Sequence, residues 1–287
     1  MNYFTALNEK GNFSDMEKIN KNYLENQARK MRLDILQMIH AAGSGHPGPA
    51  FSIVEILAFL FFHQMKLDPL NPKWEERDRL VLSKGHASPA LYAAMYERGF
   101  FDEKEMLSLR KIGSSLQGHP SSKMAGVDAT TGSLGIGLSQ AVGMAAGAKM
   151  LHFDLSVFAI IGDGECDEGQ IWEAALFASH HHLDNLYVFV DSNKDQYEGK
   201  VCDVLNLEPL DSKWQAFGWD VVIIEGHEFR SIANFIKFSQ KRKLMPHIAI
   251  AQTEKGYGVS FMVGNPDYHA RALNNEEYVR AIQELQN

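Results

Sequence analysis

Asp163 and Asn193 are the two residues of this sequence whose types and setting best suit joint chemistry. Asp163 sits in the turn Gly162-Asp163-Gly164, and Asn193 follows the apolar stretch NLYVFV through Asp191-Ser192. One carboxylate and one amide oxygen suit a small hard cation such as Mg²⁺. That ion takes one or two protein side chains and completes its octahedron with phosphate oxygens and water. The glycines around Asp163 let backbone approach a phosphate closely. Histidines form a second set. His46 lies in Ser44-Gly45-His46-Pro47-Gly48, His86 in Lys84-Gly85-His86-Ala87 and His119 in Gln117-Gly118-His119-Pro120. Each alone is well explained as a structural histidine bonded to turn backbone. Three in the same Gly- or Pro-bounded setting point to proton transfer, because an unperturbed imidazole titrates near neutral pH. The run Thr130 to Gly137 reads either as a plain tight turn and helix start or as backbone lining a flat cofactor ring.

The elements that must position these residues follow from periodicity. SVFAIIG (156–162) and NLYVFV (185–190) are apolar strands, with a helix of roughly 168–182 between them. Such a unit crosses over right-handed and makes the strands parallel. Asp163 and Asn193 then share the carboxyl edge of a sheet, where open α/β sheets bind ligands. Ser14-Asp15-Met16-Glu17 has the form of a capping box and predicts a helix start, with the helix ending near Ala42-Gly43. Ser52-Ile53-Val54-Glu55 predicts a second start, opening the apolar helix IVEILAFLFF. A strand over 78–83, a helix over 87–98 and a small-residue helix LSQAVGMAAGAKM follow. Strands are expected over 219–225 and 247–253, with a helix over 229–241 between. A long loop, 255–274, carries His269, and EEYVRAIQELQ forms a last, outer helix. The alternation predicts an α/β fold, a doubly wound, mainly parallel sheet flanked by helices. Residues 1–13 read as a loose arm and 14–287 as a single domain, with no linker-like tract.

Composition narrows the function. The 287 residues, 45% hydrophobic, suffice for one large core. A net charge of −8 disfavours nucleic acid as a partner. The two cysteines, Cys166 and Cys202, give neither a disulfide framework nor a zinc spacing, so a cytoplasmic location is expected. The stretch MNYFTALNEKGNF lacks a basic region followed by an apolar core and is not expected to be a signal peptide, and no apolar run is long enough for a bilayer. A zinc site at His180-His181-His182 is disfavoured because consecutive helical residues point in different directions.

The GDG turn, the length of the segment after it and the following asparagine resemble the motif of thiamine-diphosphate enzymes. GDGE-DEGQ-WEA, with SGHPG, RDRLVLSKGHASPALYA, GHP and TTGSLGIGLSQAVGMA in the same order, resembles transketolases. The likeness runs from about Met31 to the end and is closest to the separate N-terminal subunit of split bacterial transketolases. It implies thiamine diphosphate anchored by Mg²⁺ on Asp163, Asn193 and the backbone carbonyl of Asp195. It also implies a cofactor-binding set of His86, Gly132, Ser133, Leu134, Gly162, Gly164, Glu165, Glu168 and His269. Gly132 and Leu134 would face the aminopyrimidine side, Gly164 the diphosphate, and Glu168 a buried carboxylate network linking paired active sites. His46 and His119 would meet the sugar and assist proton transfer. His86 and His269 would lie near both diphosphate and substrate.

The implied reaction moves a two-carbon ketol unit from a ketose to an aldose, as in the pentose phosphate pathway. The substrates are sugars or sugar phosphates. The glutamate that activates the cofactor belongs to the family's next domain, and no second α/β domain fits after Asn287. A separate C-terminal, pyrimidine-binding subunit is therefore implied, in a heterotetramer of two plus two, with neither nucleic acid nor membrane as partner. Alternatives are a deoxyxylulose-phosphate-synthase-like enzyme, a specialised ketol transferase or the alpha subunit of a 2-oxo acid dehydrogenase. A non-catalytic cofactor-binding scaffold is another. Departures from the family pattern are Ala270 after the last histidine, Asp195, Tyr197 and Ile136.

Overall fold

Five short strands carry apolar side chains on both faces, the pattern of a sheet covered by helices on each side. In the computed structural model, which describes residues 19–286, they are β1 (Arg79–Leu82), β2 (Val157–Gly162), β3 (Leu186–Ser192), β4 (Asp220–Glu225) and β5 (His247–Gln252). They form one sheet in the order β1-β2-β3-β5-β4, with every neighbouring pair parallel. Alternate residues feed two cores. Phe158, Ile160 and Phe189 join one, and Val157, Ala159, Ile161, Val188 and Val190 join the other. The α/β reading of the sequence is thus what the chain adopts.

The helices are α1 (Lys21–Ala42), α2 (Pro47–Phe51), α3 (Val54–Phe59), α4 (Ser88–Arg98), α5 (Glu103–Met106), α6 (Ile136–Met150), α7 (Gly169–His180), α8 (Val201–Val204), α9 (Leu210–Ala216), α10 (Phe229–Ser239) and α11 (Asn275–Gln286). One layer holds α1, α3, α4 and α10, the other α6, α7 and α9. The terminal helix α11 packs outside α1, where Tyr278 stacks on His40 at 4.1 Å. Among the described residues no helix is long and apolar enough to cross a membrane.

One expected helix start differs and another falls outside the described residues. The Ser14 capping box and the arm over 1–13 lie outside the described residues. The described helix α1 begins at Lys21, with Asn20 accepting the Tyr23 amide, and ends on left-handed Gly43. Ser52 does not open a helix. Pro47 fits the first turn of α2, so a helix begins earlier, at the His46 turn. Ser52 instead points inward, and its hydroxyl donates to Asp191 Oδ2 at 2.7 Å. The apolar run is split into α3 and a π-helical turn, Leu60–Gln64.

Two features aim the site. A Cβ at Gly137 would fall 2.4 Å from Ser83 Oγ, so glycine lets the start of α6 press against the tip of β1. Below the 255 loop, Arg32 is buried with Glu55 (2.7 Å) and donates to Tyr257 O (2.9 Å). Glu55 also accepts His227 Nδ1 (2.8 Å), and His227 Nε2 accepts the Glu254 amide (2.9 Å). Burial pushes the Glu55 carboxyl up, but Arg32 and His227 more than offset it and hold it below its usual range. This buried network ties the root of the loop to α1 and α3.

Candidate active site

The carboxyl ends of β1, β2, β3 and β5 deliver Lys84, Asp163, Asn193 and Lys255 to one edge. Gly162 and Asp191 are direct register partners, so the two motif turns start side by side. Asp163 Oδ2 accepts the Lys194 amide at 2.7 Å, and Oδ1 accepts the Gly164 amide at 2.9 Å. The carboxylate therefore touches the turn that holds Asn193. Asn193 Nδ2 donates to Asp191 Oδ2 (2.8 Å), and its Oδ1 accepts the Asp195 amide at 3.1 Å. The Asp195 carbonyl accepts Lys255 Nζ at 2.7 Å. Its second lone pair remains available.

Asp163 is buried and makes no ion pair among the described residues. Burial, and next the neighbouring Asp191 carboxylate, push its carboxyl up to about 6. A buried carboxylate so placed is relieved by a cation, and the turn it bonds to carries a carboxamide at Asn193 and a peptide carbonyl at Asp195. This hard donor set fits Mg²⁺. Two ammonium groups, Lys84 and Lys255, stand by. Burial and then Lys84 bring Lys255 down to about 8.

Asp191 is the hub beneath. It is fully buried and accepts Lys84 Nζ, Thr253 Oγ1, Ser52 Oγ and Asn193 Nδ2. Burial raises its pKa, but Lys84 and the hydroxyl donors outweigh this and hold it ionised. Lys84→Met would leave that charge buried and unanswered, a loss of about 4 kcal/mol for a broken buried pair. Urea unfolding should show it at pH 7, and a change below about 1 kcal/mol would contradict the hub's role, since that is the range of an exposed pair.

The histidines converge. His46, His86 and His269 form a triangle with ring centroids 5.4, 5.9 and 5.4 Å apart. His119 flanks it, with a Cβ at Gly132 falling 3.3 Å from its ring. Lys255 Nζ lies 3.0 Å from His269 Nδ1, and Tyr197 meets His269 edge-on. The expected near-neutral titration is not found. Burial lowers His46 to about 4, His86 to about 2 and His269 to about 3, helped by Arg110 at His46, Lys84 at His86 and Lys255 at His269. Burial also lowers His119. The physical reason is a half-enclosed cluster already rich in cations. All four rings are neutral at pH 7 and act as hydrogen-bond donors and acceptors.

Gly132, Ser133 and Leu134 form the turn before α6, with Ser133 exposed. Gly164 lies so close to Gln196 that a Cβ would meet Oε1 at 2.5 Å. Glu165 is buried and ties three segments, accepting Ser83 Oγ (2.5 Å), the Gly135 amide (2.8 Å) and the Gly162 amide (3.1 Å). Glu168, expected as a buried acid, is exposed at the start of α7 in this chain by itself. Cys166 is buried, and burial followed by Glu165 and Asp163 pushes its thiol far up, so it is no nucleophile. Lys84, Asp191, Lys255 and Arg110 were not singled out from the sequence. Asp191 had a signal: a carboxylate closing a fully apolar strand needs a partner.

Comparison with known proteins supplies the context. The profile of a family described as "Transketolase, thiamine diphosphate binding domain" matches residues 23–286. The 6-deoxy-6-sulfo-D-fructose transketolase subunit of Clostridium sp. (strain MSTE9) is 45% identical, over 92% of this chain and 96% of that protein. An apulose-4-phosphate transketolase subunit of Phocaeicola vulgatus is 38% identical, over 91% of this chain and 93% of that protein. The crystal structure of transketolase from Campylobacter jejuni aligns with a TM-score of 0.88 at 32% identity, covering 93% of this chain and 43% of that one.

Proposed function

Because the chain belongs to the transketolase family, as its thiamine diphosphate binding domain, we propose that it is the diphosphate-binding subunit of a split ketol transferase. The observation that carries this is the buried Asp163 carboxylate, which makes no ion pair among the described residues and is bonded to the turn of Asn193. Asp163, Asn193 and the Asp195 carbonyl would hold Mg²⁺, and Gly162 and Gly164 would let backbone close on the diphosphate. Bound thiamine diphosphate supplies the carbon nucleophile and the electron sink.

The rest falls to this chain's own residues. Gly132, Ser133 and Leu134 offer backbone and side chain to the aminopyrimidine. Glu165 holds the tips of β1 and β2 and the start of α6 in register. His46 and His119 contact the hydroxyls of the sugar, and His86 and His269 bridge toward the diphosphate end. As neutral rings they orient hydroxyls, each ring nitrogen donating or accepting according to its tautomer. Anionic diphosphate beside Lys84 and Lys255 would raise the pKa of His86 and His269, because an opposite charge favours the protonated form. Glu168, exposed here, would join the carboxylate network only when the paired site is assembled. The assembly is a two-plus-two heterotetramer with a pyrimidine-binding subunit, and the location cytoplasmic. The donor is a ketose with an anionic far end, a reading supported by the sulfonate and phosphate in the names of the two relatives.

The test is calorimetric titration of the chain with thiamine diphosphate and Mg²⁺ across pH. Asp163 must be ionised to ligate, and its pKa is raised to about 6. Affinity should be level above that value and weaken roughly tenfold per pH unit below it, as protons compete for the ligand. No binding at pH 7, or affinity unchanged from pH 7 to pH 5, would count against the proposal.

A further inference from the structure

Arg110 enters the histidine cluster without a carboxylate partner. Among the described residues it makes no ion pair, and its buried Nε has no hydrogen-bond partner. Its backbone is left-handed, φ 60°, a region that residues other than glycine adopt sparingly. The Arg110 amide closes the loop by donating to Leu116 O at 2.7 Å. A Cβ at Gly118 would fall 3.1 Å from both Nε and Nη2, so the guanidinium lies against bare backbone. Its Nη2 reaches His46 Nδ1 at 3.3 Å.

A guanidinium has only donors and does not lose its proton. His46 Nδ1 must therefore accept, and the single proton of the neutral ring belongs on Nε2. We propose that Arg110 is a positioning residue that fixes His46 as the Nε2–H tautomer, so that His46 presents a donor to the substrate. The tautomer follows from the contact itself, whereas the identity of what meets the donor rests on the ketol-transfer reading. A fixed N–H suits a sugar oxygen that gains negative charge as the carbon–carbon bond breaks, since donors already aimed at developing charge need no reorganisation. Burial and the Arg110 charge both keep the ring neutral, with a pKa of about 4. His46 is not poised to remove a proton through Nδ1.

The experiment uses the full chain labelled with ¹⁵N-histidine, read by long-range proton–nitrogen correlation. The His46 signal is identified by its loss in His46→Gln. The expected wild-type spectrum has Nε2 protonated and Nδ1 bare. Arg110→Met should convert it to a mixture of tautomers, and Arg110→Lys, which keeps a donor-only cation, should restore the Nε2–H form. With the partner subunit, Arg110→Met should lower kcat/KM roughly tenfold or more, chiefly through kcat, the pattern of a contact used in the transition state. Arg110→Lys should recover part of the loss. A proton on Nδ1 in the wild type, or an Arg110→Met spectrum that keeps the wild-type tautomer, overturns the proposal. If Arg110→Met does not fold, the wild-type and Arg110→Lys spectra decide. The expected tautomer with no ketol transfer in any complex would leave Arg110's role intact and sink the functional reading alone.

Discussion

Asp163→Ala should abolish measurable binding of thiamine diphosphate with Mg²⁺, weakening it by at least about a thousandfold, or ~4 kcal/mol. The carboxylate is the only charged ligand among the three proposed, and the hard cation depends on it most. The fold should survive. At pH 7 the buried Asp163 is ionised although burial and Asp191 favour its protonated form. A carboxyl whose folded pKa is raised loses stability as pH climbs past its unfolded value, so removing it relieves that cost at neutral pH. Against this stand the two backbone amides, of Gly164 and Lys194, that lose their acceptor. The unfolding midpoint should therefore stay near that of the wild type while cofactor binding disappears. Normal thiamine diphosphate affinity in a folded Asp163→Ala variant would remove the metal assignment.

The second large effect concerns the partner. Mixed with thiamine diphosphate, Mg²⁺ and a ketose–aldose pair, this chain by itself should show no ketol transfer above background. Adding the separate pyrimidine-binding subunit should bring the rate to that of an ordinary enzyme, typically on the order of 1–1000 per second. The described residues supply one sheet and one side of a site. The chain spans 43% of the single-chain Campylobacter jejuni transketolase it matches, but 96% of a protein named as a subunit. In the family the glutamate that activates the cofactor comes from the other domain. On the paired helices α6 and α7 and just after α6, Met150, Leu151, Leu176 and Phe177 are exposed apolar side chains. Full turnover by the chain without a partner would refute this division of labour.

The placement of the candidate site's motif turns was legible because it follows from strand periodicity. Apolar runs on either side of one helix forced Asp163 and Asn193 to neighbouring strand ends, and Asp163 indeed bonds to the Asn193 turn. The three histidine turns were readable from their Gly and Pro neighbours. What could not be read were the groups that act through space. Lys84 stood in plain sight within SKGHA, but its pairing with Asp191 spans two non-consecutive turns. Arg110 lies in a stretch without periodicity, and only the fold brings it to His46. Ser52 carried a helix-start signature that Pro47 pre-empted, and its hydroxyl was claimed by Asp191 instead. The histidine pKa values depend on burial and on cations from several loops, which spacing does not encode.

The most direct measurement is a crystal structure of the chain with its partner, Mn²⁺ and thiamine diphosphate, with anomalous scattering used to locate the metal. One Mn²⁺ should lie in contact with the side-chain oxygens of Asp163 and Asn193 and the Asp195 carbonyl, and carry diphosphate oxygens as well. A diphosphate bound elsewhere, or a metal peak that leaves Asp163 and Asn193 untouched, would contradict it.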